Sequence, residues 1–219
     1  MAFLHLENVS YRYPGRSEYA VKETCLQLNR GEAVALTGLN GSGKSTLARL
    51  ILGLLQPQSG KVYVEGRSVT SMPLAERGRK LGYILQNPGQ MLFTDSVYNE
   101  VAFGLRWQGL KGEALAHACR ESLELFRIWD LKDHMPLLLS EGQKQLVAIC
   151  AVMALKPPFL ILDEPAKSID SFRKALLAGM LRKVNRQGTG ILLISHERSI
   201  IEALGGKEIR MHKGVITAA

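Results

Sequence analysis

Gly38-Leu39-Asn40-Gly41-Ser42-Gly43-Lys44-Ser45-Thr46 fits the spacing G-x-x-x-x-G-K-[ST] of a phosphate-binding loop. Its glycines let the backbone wrap closely around phosphate, where a Cβ would block the approach. Successive N–H groups then point at phosphate oxygens, and a helix starting near Lys44 adds the positive end of its dipole. Lys44 is expected to reach β and γ phosphates, and the Ser45 hydroxyl to hold Mg²⁺. The flanks agree. Ala33-Val34-Ala35-Leu36-Thr37 reads as a buried strand, and Leu47, Leu50, Ile51 and Leu54 recur at helical spacing.

Upstream, Phe3 to Val9 alternates apolar and polar residues and reads as a half-buried strand. Tyr11-Arg12-Tyr13-Pro14-Gly15 is a turn, and Tyr19 to Leu28 alternates again, so an antiparallel start precedes the α/β core. Downstream, Lys61-Val62-Tyr63-Val64 and Leu81-Gly82-Tyr83-Ile84-Leu85 read as strands, the second ending at Gln86. From Ser96 to about Phe126 the pattern turns helical: Val97, Val101 and Leu105 share a face, and Leu115, Ala118, Leu123 and Leu125 follow. A helix from Ser140 to about Leu155, the apolar strand Phe159-Leu160-Ile161-Leu162, a helix from about Ser171 to Arg186 and the strand Ile191-Leu192-Leu193-Ile194 come next. The chain closes with a hairpin turned at His212-Lys213-Gly214.

Bulk properties narrow the class. The chain has 219 residues, enough for one sizeable domain or one domain with a subdomain. Its 28 Lys+Arg against 20 Asp+Glu give +8, which suits a nucleotide, an anionic membrane face, nucleic acid or simply a solvated basic surface. Cys25, Cys119 and Cys150 are scattered without metal-ligand spacing, as in a reducing cytoplasm. The longest apolar run, Val147 to Leu155, is far shorter than the ~20 residues that span a bilayer. Met1 to His5 lacks a signal peptide's basic start and long apolar region. The expectation is a protein neither secreted nor membrane-spanning.

The remaining chemistry lies at strand ends. Phe159 to Asp163-Glu164 is an apolar strand ending in two carboxylates, delivered to the sheet edge where a phosphate loop sits. Asp163 would hold Mg²⁺ through water, and Glu164 would polarise the water that attacks a γ-phosphate. Leu139-Ser140-Glu141-Gly142-Gln143 opens a helix with Ser140 as a good N-cap. Gly142 is costly in a first turn; capping does not explain it, whereas a backbone that touches phosphate would. His196 follows an apolar strand of the same sheet and is placed to bond a γ-phosphate.

In these motifs and their order, the whole chain resembles the ATPase subunit of an ATP-binding-cassette (ABC) transporter. It carries the Walker A loop (Gly38 to Thr46), the Q-loop glutamine (Gln86) and the signature (Leu139 to Gln143). Walker B (Phe159 to Glu164), the D-loop (Ser168-Ile169-Asp170) and the switch histidine (His196) follow. Tyr13 matches the family's adenine-stacking aromatic by its offset after Asn8-Val9, with Tyr11 as the alternative. Gln86-Asn87-Pro88, Leu92-Phe93, Val97 and Glu100 to Gly104 look like the energy-coupling-factor class, importers of vitamins or of metal ions such as cobalt and nickel. The chain departs from the family pattern at Gly89, Glu141, Leu146, Ala166 and Ile169. These stand where an acidic residue, Gly, Arg, Thr and Leu are usual.

The resemblance implies an α/β fold, the P-loop NTPase cassette with an N-terminal antiparallel β subdomain and an inserted helical subdomain. Residues 1–86 and 156–219 would form the core and 87–155 the helical insert, within one domain over 1–219. ATP and Mg²⁺ are implied. Tyr13, Leu39, Asn40, Gly41, Ser42, Gly43, Lys44, Ser45 and Thr46 would bind the nucleotide, and Ser140, Gly142 and Gln143 would meet it from a partner chain. Ser45, Gln86 and Asp163 would hold the metal, and Glu164, His196, Lys44 and Gln86 would serve catalysis. The implied partners are a second ATPase subunit, as homo- or heterodimer, a transmembrane coupling subunit and a substrate-binding membrane subunit; nucleic acid is not among them. The implied location is the cytoplasmic face of the cell membrane. Rival readings are an ATPase of an exporter or lipoprotein-release system, and a soluble ABC ATPase uncoupled from transport.

Overall fold

The computed structural model describes residues 2–218. Strand β1 (Leu4–Tyr11) buries Leu4, Leu6 and Val9. This is one residue out of strict alternation. The register with β2 (Val21–Leu28) shifts between Leu6↔Leu26 and Val9↔Thr24, so Asn8 is an extra residue, held at φ 46. A second shift, before Tyr11↔Val21, places an extra residue on β2, where Glu23 has φ 43. The two bulges offset one another and keep the inward faces aligned. Strand β2 starts later than the pattern predicts, leaving Tyr19 exposed.

Strand β3 (Ala33–Thr37) feeds the phosphate loop, and α1 (Lys44–Ile51) leaves it. Helix α1 is shorter than its apolar spacing implies. Gly53 adopts φ 65 and closes the C-terminus, so Leu54 falls outside the helix and is exposed. Strands β4 (Ser59–Val64) and β5 (Arg67–Ser68) complete a four-stranded antiparallel sheet in the order β2-β1-β4-β5. Helix α2 (Leu74–Lys80) buries no residue, and its lack of an apolar stripe makes it invisible to periodicity.

Strand β6 (Leu81–Ile84) pairs in parallel with β7 (Phe159–Asp163). The regular elements between them are all helical: α3 (Val97–Trp107), α4 (Gly112–Leu125), α5 (Glu141–Ala154) and short 3₁₀ turns. The helical pattern from Ser96 to Phe126 is two helices, broken at Gly109, whose φ is 97. Leu115 and Leu123 are buried as their spacing predicts; Leu125, at the end of α4, is 47% exposed. Helix α6 (Ser171–Arg186), β8 (Gly190–Ile194), α7 (Arg198–Leu204), β9 (Lys207–His212) and β10 (Val215–Ala218) follow.

The second sheet runs β10-β9-β3-β8-β7-β6, parallel except for the β9–β10 hairpin. Its strands sort their side chains with period two. Phe159, Ile161, Leu192 and Ile194 pack with α1 and the antiparallel sheet, where the Phe3 and Phe159 rings stack 5.4 Å apart. Leu160, Leu162, Ile191 and Leu193 pack with the helices of the other face. Because β3, β6, β7 and β8 are parallel, the residues that follow them emerge at one sheet edge. That edge collects the phosphate loop, Gln86, Asp163-Glu164 and Ser195-His196.

Candidate active site

A cleft of about 420 Å³ opens at this edge, lined by Tyr13, Ala20, Asn40, Gly41, Gly43, Lys44, Ser45, Thr46, Gln86, Asp163 and Glu164. The loop shape depends on glycine: Gly43 sits at φ 109, and a Cβ there would run into the Ala20 carbonyl. The Lys44 ammonium folds onto its own loop, donating to the carbonyls of Gly38 at 2.7 Å and Leu39 at 3.0 Å. Burial lowers its pKa, opposed by the charges of Glu164 and Asp163. The Ser42 hydroxyl oxygen is buried in the loop with no hydrogen-bond partner among the described residues, and Ser42 does not line the cleft. Leu39, 67% exposed, lies outside the cleft lining.

Asp163 is buried, and desolvation raises its carboxyl above the ordinary value, opposed by the nearby Ser45 hydroxyl. A hydroxyl and a carboxylate held together, with the Gln86 amide on the same cleft, are hard oxygen donors. They fit Mg²⁺, which takes one or two protein oxygens and completes its shell with substrate phosphate and water.

Glu164 departs from ordinary backbone geometry at φ 51, and its N–H donates to the Ile194 carbonyl at 2.8 Å. Its carboxylate accepts hydrogen bonds from His196 Nδ1 at 2.8 Å and Ser195 Oγ at 3.4 Å. His196, expected at a γ-phosphate, therefore holds Glu164 here and does not line the cleft. Sequence reasoning missed the part of Ser195, although its place beside His196 at a strand end was visible. Tyr13 meets Thr46 Oγ1 through its hydroxyl at 3.3 Å and lines the cleft; Tyr11 packs edge-on behind it, ring centroids 5.0 Å apart, and does not.

Ser140, Gly142 and Gln143 are not brought to this cleft. Ser140 and Gln143 form a reciprocal cap on α5, with Ser140 N donating to Gln143 Oε1 at 3.0 Å and Gln143 N to Ser140 Oγ at 3.4 Å. Gly142 has a reason within this chain that spacing did not reveal. A Cβ there would lie 2.7 Å from the Ser168 carbonyl oxygen. Glu141 turns aside and pairs with Lys144 at 2.9 Å.

Fold and site together define a P-loop nucleotide-binding α/β domain. Residues 21–167 match the ABC transporter family. A Bifidobacterium longum protein named as an ABC transporter ATP-binding protein is 37% identical over 95% of this chain, which spans 29% of that relative. The chain covers less than half the length of several such relatives. Among solved structures, the ATP-binding cassette MJ0796, dimeric with ADP and phosphate, is 26% identical with a TM-score of 0.88, covering 97% of this chain and 96% of that one. CbiO1 of Clostridium perfringens, part of the cbiONQ transporter complex, is 29% identical with a TM-score of 0.84, covering 99% and 87%. The chain belongs to the ABC transporter family and has the fold of its ATP-binding cassette.

Proposed function

We propose that this cassette is the ATP-hydrolysing motor of a membrane importer of the energy-coupling-factor kind, working with Mg²⁺ on a vitamin or transition-metal ion as cargo. The observation that carries the ATPase chemistry is the convergence of Lys44, the Ser45–Asp163 pair and the Glu164 carboxylate on one cleft. Lys44 leaves the Gly38 and Leu39 carbonyls to pair with the β and γ phosphates. Ser45 and Asp163, with Gln86, would hold Mg²⁺, which would supply charge neutralisation at the phosphates. Glu164, oriented by His196 and Ser195, takes the proton of the attacking water. Tyr13 stacks on the adenine.

The importer reading is supported by the likeness to CbiO1 and by exposed aromatic residues that follow Gln86 in the chain. Phe93 and Phe103 stand exposed in an edge-on pair 4.9 Å apart, with Trp107 also exposed. Exposed aromatic surface of this kind suits a membrane subunit. Residues 87–155 are the inserted helical unit that bears it. The chain would then sit at the cytoplasmic face of the membrane. Co-purification with membrane subunits tests this coupling, and capture of none of them in membranes containing the whole system would refute it.

Ser140 and Gly142 serve the ATP of a second cassette, since the cap of α5 does not reach this chain's own cleft. Lys44→Ala and Ser140→Arg, each inactive alone, test the arrangement. Mixed dimers hold one intact site, pairing Lys44 of one chain with Ser140 of the other, and should recover ATP occlusion. No recovery in doubly tagged mixed dimers would remove the shared site. For an obligate heterodimer the lesions are divided between the two different chains.

A further inference from the structure

A second concavity of about 270 Å³ lies behind the phosphate loop, lined in part by Thr37, Gly38, Leu39 and His196 and by the charged Arg198, Glu208 and Arg210. Strand β9 lies between β10 and β3, and its Ile209 and Met211 are buried on the side of the antiparallel sheet. Glu208 and Arg210 alternate to the opposite side, where Ile201 of α7 packs. That side is only partly covered: Glu208 is half-buried and Arg210 is exposed. Glu208 is paired twice: it accepts from Thr37 Oγ1 at 3.1 Å and from Arg198 Nη1 at 2.9 Å. Among the described residues the Arg210 guanidinium makes no ion pair. Two guanidiniums against one carboxylate leave the pocket with surplus positive charge and a free planar donor set suited to an oxyanion.

The inner wall says which oxyanion. Gly38 and Leu39 are the residues whose carbonyls hold the Lys44 ammonium, and His196 is the residue that holds Glu164. The pocket therefore adjoins the nucleotide cleft through the Lys44 and Glu164 contacts of its own lining residues. We propose that this pocket binds inorganic phosphate as it leaves the nucleotide site, with Arg210 as its principal contact. The proposal rests on the ATPase reading above and adds to it a second anion site on the opposite side of the loop.

The test uses the full chain saturated with ADP and Mg²⁺, so that the cleft is filled. ADP binding is measured first, and inorganic phosphate is then titrated by calorimetry. The wild type should bind phosphate without displacing ADP. Arg210→Met should weaken phosphate binding by about tenfold or more, the loss expected for a charge-assisted hydrogen bond, and Arg210→Lys should restore part of it. ADP affinity and melting temperature should not change, since Arg210 is exposed and outside the cleft. In a single turnover followed with a fluorescent phosphate sensor, release should slow in Arg210→Met. Phosphate that binds only by displacing ADP, an affinity untouched by Arg210→Met, or an unchanged release rate would each overturn the proposal. Failure of the wild type to bind ADP would instead overturn the nucleotide reading, and with it the phosphate's origin. The Arg210 comparison would still decide whether the pocket holds an oxyanion.

Discussion

Gly142→Ala sets two forces of similar size against each other. Alanine is the better helix former, by at most about 1 kcal/mol, so on propensity alone the variant would be more stable. The added methyl would sit 2.7 Å from the Ser168 carbonyl oxygen, closer than a real Cβ approaches another atom. That oxygen is backbone, and it lies two residues before Asp170, which caps α6 by accepting from Arg173 N at 2.9 Å. It cannot yield without disturbing the cap, and overpacking of this kind costs about 1–3 kcal/mol. The net expectation is a loss of about 1 kcal/mol, or a melting temperature about 2–4 °C lower for a chain of this size. Thermal and urea unfolding of the nucleotide-free chain measure it, where no phosphate contact contributes. A gain near 1 kcal/mol would refute the reasoning: the Ser168 loop would then be yielding freely, and the glycine would owe its place to contacts outside this chain.

Three further outcomes follow from the site. Burial raises the Asp163 carboxyl above its ordinary value, so the folded chain takes up that proton before the unfolded chain does. Its contribution to stability therefore rises as pH falls toward the ordinary aspartate range and is a cost at neutral pH. Asp163→Asn should raise the melting temperature of the nucleotide-free chain at pH 7 while abolishing Mg²⁺-dependent turnover; a lower melting temperature would show that the ionised carboxylate stabilises the fold. Glu164→Gln should slow hydrolysis by about 10²–10⁴-fold with ATP still bound, and turnover near the wild-type rate would remove Glu164 as the base. Tyr13→Ala should weaken ATP binding by the worth of one base stack, about 1–3 kcal/mol, and Tyr11→Ala by much less; the reverse order in an ATP titration would exchange their roles.

The amino-acid sequence by itself determined the parts whose signal is local. The phosphate loop, the apolar strand ending at Asp163-Glu164 and the cap at Ser140 each lie within about one turn or one strand, where residue type and spacing carry the physics. The helical insert was legible too, since its amphipathic pattern lies between two apolar runs. Helix α2 was not, because it buries nothing, and α7 was not, because seven residues are too few to show a period. The early end of α1 turned on the positive φ of Gly53, a conformation that spacing does not record.

What only the tertiary structure decided are contacts between residues far apart in the chain. Asp163 meets Ser45, and Glu164 meets His196, because β7 and β8 are neighbours and β3 lies beside β8. Gly142 is required by Ser168, and Glu208 and Arg210 open a charged pocket only because β9 lies against β3 under α7. Local pattern selects strand, loop or helix, but the order of strands in the sheet follows from packing of the whole chain, and that order sets which distant side chains share an edge.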